Sequence, residues 1–166
     1  MVLGGVFLPE IKMYRRRDAL EYARRWALER NPAYYDFSEI GGDCTSFVSQ
    51  CLYAGSGVMN YAPDGWYYRS INDRSPSWTG VEFLYDFLIS NRTRGPFATE
   101  TDRRGIMEGD VIQLGNEERF YHSLLVTGIG GGRIYVSAHS FDARNRPLDT
   151  YDARRKRYLH IEGVYV

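Results

Sequence analysis

The apolar pattern of this chain changes period once. Up to about residue 89 its apolar side chains recur at helical spacing, and after Gly95-Pro96 they fall into short strand-like runs. A helix buries a stripe and a strand buries alternate side chains, so one change of period predicts an α+β chain with N-terminal helices packed on a C-terminal antiparallel β-sheet. Residues 17–31 carry Ala19, Leu20, Ala23, Trp26 and Ala27 on one stripe, and Pro32 stands where that helix should stop. A second helix starts near Cys44, repeats the spacing through Phe47, Val48, Cys51 and Leu52, and ends near Gly55 and Gly57. A third is expected from about residue 80 to 89, and strands over 110–114, 122–129, 133–140 and 160–166. No repeat or low-complexity linker interrupts the 166 residues, which suits a single domain over 1–166.

Charge excludes some function classes. Lys and Arg total 21, as do Asp and Glu, so nothing global draws the chain to nucleic acid or an acidic membrane. The basic runs at 15–17 and 154–157 read as solvated faces. Residues 1–12 contain a short apolar run with no basic region ahead of it, and Pro9 and Glu10 interrupt it, so they resemble neither an export signal nor a membrane span.

The two cysteines lie seven residues apart on the second helix, which puts their Cα atoms roughly 10 Å apart, beyond the ~7 Å that a disulfide can bridge. Neither C-x-x-C nor H-x-x-x-H occurs, so no zinc-ligand spacing is present. Cys51 reads as a small buried hydrophobe. Cys44 follows Gly42 and Asp43, a turn residue and an N-cap, and so falls in the first helical turn, where unpaired N–H groups and the helix dipole favour a thiolate. On spacing alone it remains either a nucleophile or a second buried thiol.

A thiol nucleophile needs a base, and the chain has three histidines, His122, His139 and His160. A hairpin turning at Gly130-Gly131 sets His122 directly opposite His139 on one face; a three-residue turn through Gly132 sets it opposite Ser140 and sends His139 to the other face. His160 has no such partner. Trp66, Tyr67 and Tyr68 with Trp78 either line a groove or pack inside.

Residues 42–52, GDCTSFVSQCL, resemble the signature of the putative amidase domain family, relatives of the NlpC-type and CHAP-type cell-wall hydrolases among the papain-like cysteine peptidases. YRRRDALEYA at 14–23, NPAY at 31–34, SWTG at 77–80, GDVI at 109–112, YHS at 121–123 and AHS at 138–140 resemble that family in the same order, so the likeness covers residues 14–166. It implies a papain-like fold, Cys44 as nucleophile with its own backbone N–H at the oxyanion, and His122 as general base and acid. It further implies His139 as the polar group orienting His122. Asp43, Trp78 and Tyr121 are the candidate residues of a substrate groove. No cofactor or metal is implied. The substrate would be a peptide or peptidoglycan-derived amide, without nucleic acid or membrane insertion, at an extracellular or cell-wall location or otherwise in the cytoplasm. A thiol acyltransferase would use the same residues, and a non-catalytic cell-wall or protein-binding module is the contrasting class.

Overall fold

Three alanines set the helical layer. Ala19, Ala23 and Ala27 recur every fourth residue, are fully buried, and bring helix α1 (Arg16–Trp26) against the central helix. The computed structural model describes residues 2–166; Met1, the first residue of the apolar start read above, lies outside the described residues. Ahead of α1, β1 (Val2–Leu3) and β2 (Val6–Phe7) pair as a small hairpin, followed by β3 (Ile11–Lys12). Helix α1 stops five residues short of the expected end because Asn31 opens a turn of its own. Its Oδ1 accepts the Ala33 N–H at 2.9 Å and its carbonyl accepts the Tyr34 N–H at 3.1 Å.

Helix α2 (Cys44–Ser56) is buried on nearly every side, and a left-handed Gly57 at φ 72° closes it. Phe47, Val48 and Leu52 are fully buried there, each contributing about 1.5–3 kcal/mol of apolar transfer. Gly55 permits the close entry of the preceding chain, since a Cβ there would lie 2.2 Å from the Tyr14 ring. The short hairpin of β4 (Tyr68–Ser70) and β5 (Asp73–Arg74) leads to α3 (Pro76–Thr79) and α4 (Val81–Ser90).

The sheet comprises β3 with β6 (Gly95–Thr101), β7 (Val111–Gly115), β8 (Phe120–Gly130), β9 (Arg133–Ala138), β10 (Ala143–Pro147) and β11 (Arg155–Tyr165). Its order is β10-β9-β8-β7-β11-β3, with β6 on the other edge of β11, and every pairing is antiparallel. Three of these strands carry little sequence signal: β3 has two residues, β6 opens on Gly95-Pro96, and β10 reads ARNRP, a polar edge strand with a bulge. The last strand begins five residues earlier than its apolar pattern, within the basic run. Arg157 there is only 9% exposed, so that run is not wholly a solvated face.

Alternation divides the core. Val111, Leu125, Leu159 and Ile161 pack with the helices, while Ile112, Leu114, Leu124, Val126, Ile134 and Val136 form a second cluster closed by Leu148. The β8–β9 turn is Gly131-Gly132, both at positive φ (58° and 74°), between the paired Gly130 and Arg133. Thr127 then bulges, and beyond it Val126 pairs with Val136 and Leu125 with Ser137. That register, extended, aligns His122 with Ser140. The expected pairing of His122 with His139 does not form, because the turn lies at Gly131-Gly132 and not at Gly130-Gly131, which moves the register by two residues; the Thr127 bulge takes back only one of them, and β9 ends at Ala138.

Candidate active site

Cys44 is the first residue of α2, and the residue before it anchors the helix to its surroundings. Asp43 occupies the N-cap position without a capping bond from its side chain; the carboxylate is buried and turned away. Its Oδ1 accepts the Phe37 N–H at 2.9 Å, and its Oδ2 lies 2.6 Å from His139 Nδ1 and 3.6 Å from Arg30 Nε. His139 Nε2 meets the Trp26 carbonyl at 2.7 Å, and the ring stacks on Phe47 with centroids 4.1 Å apart. Both ring nitrogens of this imidazole are thus engaged, one by the Asp43 carboxyl and one by a backbone carbonyl. Nothing remains of His139 to orient His122, and that expected role is corrected. His139 joins the start of α2 to the end of α1, and Ser140 Oγ adds a bond from the Asp43 N–H at 3.1 Å.

A buried polar chain leads to the sulfur from the opposite side. Arg157 Nε and Nη2 donate to Gln113 Oε1 at 2.8 and 2.6 Å, which fixes the orientation of that amide. Gln113 Nε2 then donates to the Val81 carbonyl at 3.0 Å and to Ser123 Oγ at 3.1 Å. Ser123 Oγ, the acceptor of that bond, lies 2.9 Å from Thr45 Oγ1, and the Thr45 hydroxyl lies 3.7 Å from Cys44 Sγ; in each of these two contacts either atom can donate. Burial pushes the Cys44 thiol up, against the expectation from its helix start; the Ser123 backbone amide and Thr45 pull the other way. Cys51, two turns on, is fully buried and pushed further up.

His122 pairs with Leu114 on β7, on the face opposite Ser123. Cys44 and His122 nevertheless open into one cavity of about 330 Å³, shared with Leu114, Tyr121, Phe141 and Tyr151. Among the described residues no hydrogen bond joins the thiol to the imidazole, and no protein group bonds either ring nitrogen of His122. Burial, and then the charge of Arg146, hold the His122 pKa down to about 4. Burial thus disfavours both the thiolate and the imidazolium.

Of the expected groove residues, Tyr121 lies on the cavity wall and is partly exposed. Trp78 does not: it is fully buried, stacked on Tyr34 and packed against Trp66, because α3 turns it under α2. Asp43 faces the protein interior. His160 bonds Asp110 Oδ2 at 2.8 Å, within a carboxylate also held by Arg16 and by the Ile161 and Met107 amides. The sequence reading missed Gln113, Ser123 and Thr45. The signal was present as single polar residues inside otherwise apolar strand and helix runs, where a buried polar group demands partners. Arg146 carried no such signal.

Residues 13–161 match the family described as Putative amidase domain. The chain is 32% identical to the uncharacterized protein YhbB of Bacillus subtilis (strain 168) over 139 residues, covering 80% of this chain and 43% of YhbB. It is 24% identical to the uncharacterized protein YjcM of the same organism over 160 residues, covering 90% of this chain and 37% of YjcM. The chain thus spans less than half the length of these relatives. No solved structure matches it.

Proposed function

The chain belongs to the putative amidase domain family, and from that premise we propose that it cleaves an amide bond by acyl transfer to Cys44. The observation that carries the reading is the cavity into which a helix-start thiol and an unprotonated, otherwise unbonded imidazole both open. His122 takes the thiol proton as the sulfur attacks the carbonyl carbon, which suits a group held neutral at working pH. The carbonyl oxygen gains the negative charge beside the Cys44 backbone N–H, one of the unpaired donors of the first turn. The imidazolium then gives its proton to the amide nitrogen, the C–N bond breaks and the amine leaves a thioester. His122 next deprotonates water, which attacks the thioester and releases the acid and the thiol.

The same reading includes a papain-like arrangement of the whole chain as one catalytic domain, with a peptide amide, as in cell-wall peptides, as substrate. An acyl acceptor other than water would make the protein a transferase through the same intermediate. The test is intact-mass spectrometry of the protein mixed with a panel of short peptide amides and peptidoglycan fragments. A transient acyl adduct on Cys44, lost in Cys44→Ala together with all product, is expected. Ligand binding with no adduct at any pH would leave a binding module instead.

A further inference from the structure

We propose that Arg146 forms a carboxylate subsite beside Cys44 and His122, so that the substrate carries a carboxylate close to the amide that is cleaved; this rests on those two residues being the reacting pair. Strand β10 bulges between Ala143 and Arg146, with Asn145 at φ 53°, and the bulge turns an edge-strand guanidinium into the cavity wall. The group is held before any ligand arrives. Its Nε donates to Thr150 Oγ1 at 2.7 Å, its Nη2 donates to the Thr150 carbonyl at 3.0 Å, and it lies 3.9 Å from the centre of the Tyr151 ring. Nη1 and the second Nη2 hydrogen are left as a planar fork, the geometry that receives a carboxylate through two parallel bonds.

No carboxylate among the described residues pairs with this cation. Asp152, the one acid on the same wall, is exposed and makes no ion pair with it. A cation kept for stability would be expected to have an acid partner; this one instead stands where it opposes protonation of the imidazole, second to burial in that effect. A carboxylate bound on the fork removes that opposition when His122 must accept the thiol proton.

Iodoacetate and iodoacetamide test this without a known substrate, because they deliver the same carbon to sulfur and differ in a carboxylate against a carboxamide. The ratio of their alkylation rates at Cys44 is compared with the ratio at glutathione, for the wild type, Arg146→Lys and Arg146→Met. The expected wild-type ratio exceeds that of glutathione by about tenfold, falls to the glutathione value in Arg146→Met, and is partly kept in Arg146→Lys, which controls for folding. A wild-type ratio equal to that of glutathione, one that Arg146→Met leaves unchanged, or no reaction with either reagent overturns the subsite. The amide-cleavage reading fails separately, through absence of an acyl adduct on Cys44, and a preserved iodoacetate preference would then keep the anion site without the hydrolase.

Discussion

At Cys44 two influences oppose each other, and burial prevails over the helix start. With His122 held down to about 4, the reactive proton count is that of a neutral pair across most of the pH range. On the proposed mechanism kcat/KM rises through a limb near pH 4 and then stays level past pH 9. A preformed thiolate–imidazolium pair would instead give a bell falling as the imidazolium loses its proton, so stopped-flow rates between pH 3.5 and 9.5 decide between them. Stability has the same origin. The folded pKa of His122 lies below its ordinary 6.5, so the unfolded chain binds the extra proton first as the solution is acidified. Its contribution is complete above pH 6.5 and is lost as pH falls toward 4, about 3 kcal/mol in all. His122→Asn should flatten that part of the urea-unfolding profile; a slope unchanged in the variant would assign it to carboxylates. The thiol and this imidazole were legible as residue types, one opening a helix and one beginning a strand. Their protonation was not, since burial is a property of the packed chain.

Elements are joined at the start of α2 by the Asp43–His139 contact, which links that helix to the end of β9 and, through the Trp26 carbonyl, to α1. Removing one partner of a buried, hydrogen-bonded pair leaves the other uncompensated, so His139→Ala should lose about 3–5 kcal/mol of stability. Thermal unfolding checks this, with Asp43→Asn and the double variant completing a cycle that should show strong coupling. Normal stability with abolished turnover would return His139 to an orienting role. The sequence displayed both histidines and the run of glycines but neither which two glycines turn nor the Thr127 bulge, and a shift of one residue changes which side chains face each other. Periodicity likewise found the strands with apolar alternation and passed over β6 and β10, whose pairing depends on neighbours distant in sequence.

Across the whole molecule, the chain of bonds Arg157–Gln113–Ser123–Thr45 runs from β11 through β7 and β8 to α2. Its two amide and guanidinium steps are directed, with Arg157 donating to Gln113 and Gln113 to Ser123. Gln113→Leu breaks the chain at its second member and removes the donor to Ser123 Oγ. Iodoacetamide should then alkylate Cys44 about three- to tenfold more slowly at neutral pH, with Thr45→Val giving a similar loss. Equal rates in variants of normal Tm would make the chain structural only. The alternating strands and helical stripes conveyed the layers of this fold, whereas the contacts that condition the thiol join residues far apart along the chain and leave no local pattern.

Portability follows from that arrangement. A protein engineer who lifts the Asp-Cys-Thr helix into a new scaffold transfers the nucleophile without the chain of bonds that reaches it, because the guanidinium that orients Gln113 belongs to the last strand, inside a stretch that looks like interchangeable basic decoration. Directed evolution of this scaffold should therefore treat Arg157 as part of the reactive apparatus and leave the neighbouring Arg154, Arg155 and Lys156 free to vary.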